Sequence, residues 1–230
     1  MHSHRPHSFR RASTTFVWLL TAGLLLSSGL VGLASCSDDD DEPFPALVSE
    51  LGLVFTDEHG VITRLLLDDS TSHPVTNKLE GYVARAAYRC VCGFVRGSGQ
   101  SVEIRSLAPA YILADSTDSR HRANDPVEVV SAWRGGHMFL NLYVRPLTKG
   151  GKQQWGYLRD SVRANPAGGT TYHLSLMHAQ GTDTLAYSTD LYMSVPLDSL
   201  ATPPAFTAAD SVEMAVATWN GLRRFAVGLR

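Results

Sequence analysis

Beyond its first 45 residues, this chain places its apolar side chains at every second position, and no window holds a 3.6-residue apolar period. Val102-Glu103-Ile104-Arg105 alternates. So does the run 138–144, with Met138, Leu140, Leu142 and Val144 on one face. Tyr172, Leu174 and Leu176 oppose His173 and Ser175, and Leu191, Met193 and Val195 share a face. A period of two is the signature of half-buried strands, so the expected fold is all-β. Turn chemistry falls between the runs. Asp57-Glu58-His59-Gly60 separates Val54-Phe55-Thr56 from Val61-Ile62-Thr63. Asn220-Gly221 separates Val212, Met214 and Val216 from Phe225, Val227 and Leu229, and suits a type I′ turn. A long strand is expected over 82–95, broken only at Gly93, then a turn at Gly97-Ser98-Gly99 and a short strand within 110–113. Seven short strands after residue 125 have the spacing of a sandwich.

The first 35 residues read as an address. Arg5, Arg10 and Arg11 precede an apolar run over 16–33, and no acid occurs before Asp38. Basic stretch, apolar core and small residues make a secretory signal. Ser27, Ser28 and three glycines make the run a poor permanent membrane span. Its end, Leu33-Ala34-Ser35-Cys36, resembles the bacterial lipobox, in which the cysteine thiol receives a diacylglycerol and becomes the new N-terminus. Cys36 is thus the lipidation site and Leu33, Ala34 and Ser35 flank the cut. Cleavage removes three arginines and no acid, which takes the formal charge from −2 to −5.

Asp38-Asp39-Asp40-Asp41-Glu42 follows the cysteine. Adjacent like charges cannot be buried together, so residues 36–46 form a solvated tether. Acids in this place resemble the signals that send lipoproteins of Bacteroidetes to the outer face of the outer membrane. Charged residues are 18 % of the chain and apolar ones 44 %, which excludes a disordered chain. With 20 basic against 22 acidic residues there is no basic surplus for nucleic acid.

Asn124-Asp125-Pro126-Val127-Glu128-Val129-Val130-Ser131-Ala132-Trp133 leads through Gly135-Gly136 into Phe139-Leu140-Asn141-Leu142. Leu174-Ser175-Leu176-Met177-His178 and Tyr187-Ser188 come later. This succession resembles the NigD-like lipoproteins of Bacteroidetes. The resemblance implies an N-terminal OB-like small barrel over 47–117, a linker over 118–125 and an immunoglobulin-like β-sandwich over 126–230. Asp68-Asp69 stands where the family tends to have an acidic pair after a strand. The family brings no established catalytic residues.

Few residues invite chemistry. Cys90 and Cys92 share a strand face, too far apart for a disulfide in regular geometry, and two cysteines do not close a zinc site; they are expected as buried small apolar groups, with a bridge open only at a bulge. His173 and His178 fall on opposite faces, and His137 sits in a turn. Asp68-Asp69-Ser70 lacks a histidine partner and reads as a strand-end turn. Trp133 is expected in the sandwich core, while Trp155, Tyr157 and Trp219 are candidates for exposed aromatics. Arg85 and Arg89, four apart, are expected on one strand face, solvated or facing an anion. Neither metal nor cofactor is expected. The reading is a non-catalytic lipoprotein on the outer membrane, anchored through Cys36, whose partner is an envelope protein or a glycan. The alternative is a glycan hydrolase, marked by two carboxylates about 5–10 Å apart across a cleft.

Overall fold

Asp57 ends the first strand by accepting the backbone N–H groups of His59 and Val61 at 2.8 and 3.0 Å, and so closes the expected hairpin. The computed structural model describes residues 46–118, 120, 122–136, 139–200 and 206–229. The signal, Leu33, Ala34, Ser35, Cys36, the acidic run and His137 lie outside them. Among the described residues no helix is long and apolar enough to cross a membrane.

Five antiparallel strands form the first sheet: β1 (Leu47–Thr56), β2 (Ile62–Leu67), β3 (Ser72–Pro74), β4 (Ala87–Arg96) and β5 (Val102–Pro109), in the order β3-β2-β1-β4-β5. The two edges meet. Val75 bridges Val102 in parallel, and the Asn77 side chain donates to Ile104 O at 2.8 Å and accepts from Ile104 N at 2.9 Å. This closure leaves no free edge there and makes the small OB-like barrel. Its interior holds Val54, Ile62, Leu65, Leu67, Cys90, Cys92, Phe94, Val102 and Ile104. The strand expected from residue 82 starts only at Ala87. Arg85 has a left-handed backbone (φ 54°), and the Thr56 hydroxyl donates to Val83 O and accepts from Ala86 N. These bonds fold 82–86 over the hairpin instead of extending it.

The remaining strands are β6 (Tyr111–Ile112), β7 (Glu128–Gly135), β8 (Phe139–Arg145), β9 (Leu147–Thr148), β10 (Gln154–Ala164), β11 (Thr170–Ala179), β12 (Tyr187–Ser188), β13 (Leu191–Pro196), β14 (Ser211–Thr218) and β15 (Gly221–Gly228). They build two four-stranded sheets, β6-β13-β8-β7 and β10-β11-β14-β15, and a small β9–β12 ribbon. Leu140, Leu142, Val144, Met193 and Val195 face Leu174, Leu176, Val212, Met214 and Val216 in the core, as their alternation requires. The pairings β6–β13 and β11–β14 are parallel. Because β6 pairs with β13, residues 111–112 belong to a sandwich sheet, not to the barrel. The polar stretch after them runs along the same sandwich: Asp115 bridges Tyr157 and Asn124 bridges His178.

A bulge decides the fate of Trp133. Val129 pairs with Val144 but Ser131 pairs with Tyr143, so the extra residue reverses side-chain parity along β7. Ala132 then packs on the core, and Trp133, expected inside, points to the other face. The terminal hairpin also departs from expectation. Thr218 pairs with Gly221 across Trp219 and Asn220, and of the Asn-Gly pair only Gly221 has positive φ (100°). A type I′ turn is therefore not formed.

Carboxylates hold many of the turns. The Thr148 hydroxyl, then Gln153 and the N–H groups of Lys149 and Gly151, hold the Asp183 carboxyl well below the usual carboxylate range. The N–H groups of Thr207 and Thr170 also lower the pKa of Asp210, and the Thr71 hydroxyl that of Asp69. A carboxyl whose folded pKa is depressed stabilises the fold above its unfolded value and loses that contribution as pH falls. The melting temperature is therefore expected to be flat from pH 6 to 8 and to drop below about pH 4. Calorimetry at pH 7 and pH 3 tests this, and an unchanged melting point at pH 3 would contradict it.

Candidate functional site

The site is built around one buried charge. Cys90 and Cys92 point into the barrel, so their strand neighbour Arg89 points out of it, towards the sandwich. Its side chain is only 1 % exposed. Nη1 and Nη2 donate to Asp68 Oδ1 and Oδ2 at 2.5 and 2.7 Å, Nη2 also to Asn141 Oδ1 at 3.0 Å, and Nε to Ser194 Oγ at 3.1 Å. Asn141 Nδ2 donates to Asp68 Oδ2 at 2.7 Å, and Ser194 Oγ donates to Asn141 Oδ1 at 2.7 Å. The guanidinium lies 4.3 Å from the Phe139 ring centre. Asp68 and Arg89 come from the barrel and Asn141, Ser194 and Phe139 from the sandwich sheet. A bidentate ion pair in which each guanidinium nitrogen has a partner is the geometry in which a buried charge is tolerated.

Local sequence makes this junction. Asp68 ends β2 at a tight turn in which Ser70 takes a left-handed φ of 71° and Asp69 caps Thr71. Asn141 and Ser194 alternate with core residues and so face the barrel. Gly135 and Gly136 let the β7–β8 turn reach Asp68. A Cβ at Gly135 would strike the Asp68 carboxylate and the Asn141 amide, and one at Gly136 the Asp68 carbonyl.

Beside the junction opens a cleft of about 300 Å³, with Ser49, Glu50 and Val91 on the barrel side, Trp133 and Tyr192 on the sandwich side, and Asp68 at its edge. Tyr192 is backed by Tyr143, stacked at 4.7 Å and 10°. Tyr143 in turn donates to Asp190 at 2.7 Å, which Arg145 also contacts at 2.9 Å. Glu50 lies 3.8 Å from Arg96. A second concavity, of about 420 Å³, is lined by apolar groups such as Tyr82, Tyr88, Leu107 and Ile112.

The other expected residues fall elsewhere. Cys90 and Cys92 are free and buried in the barrel, Sγ atoms 3.3 Å apart, and the neighbouring thiol together with burial pushes the Cys92 thiol up. Arg85 does not share a strand face with Arg89. It sits exposed in the loop near Glu58, while Arg89 is sealed away from solvent. Tyr157, expected at the surface, is 1 % exposed and bonds Ser199 at 2.8 Å. Trp155 is half-buried and stacks on His178 at 3.8 Å, while Trp219 is exposed. The His178 ring is buried between Asp125 O and Gln153 Oε1, and His173 contacts Glu213 at 3.2 Å. Among the described residues no three His, Cys, Asp or Glu side chains converge as a metal site would require.

A small barrel bonded to a two-sheet sandwich through a buried ion pair defines a two-part all-β module. Residues 110–223 match the family of NigD-like C-terminal beta sandwich domains, and the sandwich of this chain belongs to that family. A NigD-like immunity protein from Bacteroides caccae has the same fold (TM-score 0.60, 22 % identity, 80 % of this chain and 93 % of that one). So does a protein from Parabacteroides distasonis provisionally described as toxin-related (TM-score 0.64, 16 % identity, 79 % and 92 %). A protein of Bacteroides fragilis provisionally described as a lipoprotein also matches (TM-score 0.58, 10 % identity, 81 % and 99 %). These matches extend over barrel and sandwich together. No curated protein matches the chain.

Proposed function

We propose that this chain is a non-catalytic lipoprotein of the bacterial envelope, held to the outer membrane through lipid on Cys36, that seats a partner in the cleft beside Arg89. The observation that carries this reading is the junction itself. It fixes two β units at a set angle and leaves between them a preformed concavity with aromatic walls, which is the usual form of a binding site. The B. fragilis neighbour supports the lipid anchor.

The hydrolase alternative asks for two working carboxylates across a cleft. Glu50 and Asp68 do line this one, but both oxygens of Asp68 are engaged by Arg89 and Asn141, so it does not face a substrate as a free carboxyl group. The description of the B. caccae relative as an immunity protein favours a second reading, in which the chain acts by occupying a partner.

A benzophenone side chain placed at Val91, in the cleft, and at Val162, 58 % exposed on β10, separates site from surface. Irradiation of the bacterium that makes the protein is expected to give a discrete adduct from position 91 and none from 162. The same smear from both positions, or no adduct from 91, would sink the proposal.

A further inference from the structure

We infer that the cleft takes a neutral pyranose ring of an oligosaccharide, an inference that rests on reading the cleft as the binding site. Three observations converge. First, the β7 bulge spends a large side chain on the cleft: it turns Trp133 out of the sandwich core and into the wall. Second, Tyr192 offers the same cavity a ring whose back is held by Tyr143 at 4.7 Å, so its orientation is set before a ligand arrives. The π faces of such rings are electron-rich and suit the weakly positive C–H faces of a sugar ring. Third, the acids near these rings are already compensated. Asp68 is paired with Arg89, and Glu50 lies 3.8 Å from Arg96. The wall therefore adds a paired carboxylate and the Ser49 hydroxyl as hydrogen-bonding groups, with little net charge.

That balance decides between ligand classes. A cation would gain from the rings but finds each carboxylate already paired. An anion finds no cation among the lining residues. A neutral ring with several hydroxyls uses both the aromatic faces and the paired charges, and loses nothing to uncompensated desolvation. The volume, about 300 Å³, admits one ring with its substituents and a neighbour at the mouth. The larger concavity lined by Tyr82, Leu107 and Ile112 is the more apolar of the two and has no tryptophan in its wall.

The test titrates the lipidated full-length protein, in a zwitterionic detergent, with maltohexaose, cellohexaose, mannohexaose and xylohexaose, read by calorimetry and tryptophan fluorescence. At least one sugar is expected to saturate. Trp133→Ala is expected to weaken that sugar about tenfold or more, as loss of a central aromatic anchor does. Trp133→Phe should recover part of the affinity, Glu50→Gln should weaken binding, and Trp219→Ala on the remote hairpin should leave it unchanged. Saturation by none of the four, binding that survives Trp133→Ala in a folded protein, or tighter binding of hexalysine would overturn the inference. If the sugars fail while the Val91 adduct persists, only the ligand class falls. If both fail, the cleft itself falls.

Discussion

Arg89→Met is expected to destabilise the folded chain by about 3–5 kcal/mol, the usual cost of removing one partner from a buried ion pair. For a chain of this size that is a fall of roughly 6–20 °C in melting temperature. The substitution keeps most of the side-chain volume, so the loss is electrostatic rather than a cavity. Asp68 is left with the Asn141 amide as its remaining side-chain donor, and Asn141 Oδ1 and Ser194 Oγ each lose a bond. The Asp68 side chain is 18 % exposed against 1 % for Arg89, so water reaches the orphaned carboxylate and the effect belongs near the lower end of the range. Asp68→Leu should cost more, because it strands a guanidinium that water cannot reach.

The double variant Arg89→Met/Asp68→Leu separates this account from a generic packing defect. Replacing a whole buried pair by apolar residues is often close to neutral, and Asn141 and Ser194 still bond each other at 2.7 Å. The double variant is therefore expected to be more stable than either single one, a strongly non-additive cycle. Additive losses would mean that the four residues are not one network. Calorimetry reads a second consequence. With the junction intact, barrel and sandwich should melt together, and in Arg89→Met the single transition should broaden or split.

The period-two alternation was enough to place the sandwich core. Leu140, Leu142, Val144, Met193, Val195, Val212, Met214 and Val216 are all buried as their phase requires. What it could not supply is phase across an inserted residue. The β7 bulge carries no sequence mark, and it alone moves Trp133 from core to cleft. The junction was half legible. Asp68-Asp69 after a strand and Gly135-Gly136 in a turn stood out as motifs, but Arg89 looked like an exposed strand cation. Its meaning depends on Asn141, 52 positions away, and Ser194, 105 away, and separations of that length leave no local trace. One signal was within reach. Arg89 precedes Cys90-Val91-Cys92 on a strand whose other face carries Cys90, Cys92 and Phe94 towards the core, and Asn141 interrupts a run otherwise fit for burial on both faces.

Cys36→Ala is expected to abolish lipid labelling altogether. A single acyl chain gives only marginal, reversible membrane binding, whereas two or more hold stably, since each buried CH2 contributes about 0.8 kcal/mol. A diacylglycerol on Cys36 passes that threshold with one residue, and the chain has no other cysteine outside the buried pair at 90 and 92. Cells fed labelled palmitate should therefore mark the wild-type protein and leave the Cys36→Ala protein unmarked and uncut, 35 residues longer, as the basic and apolar signal predicts. Protease added to intact cells then asks which way the anchored protein faces. Digestion of the wild type, with a periplasmic marker spared and the Cys36→Ala precursor untouched, is the outcome expected if the acids at 38–42 direct export. Resistance until the envelope is broken would make those acids a spacer alone, and the cleft would then have to find its saccharide among polymers of the periplasm. Label on the Cys36→Ala protein, or none on the wild type, would remove the anchor from the account.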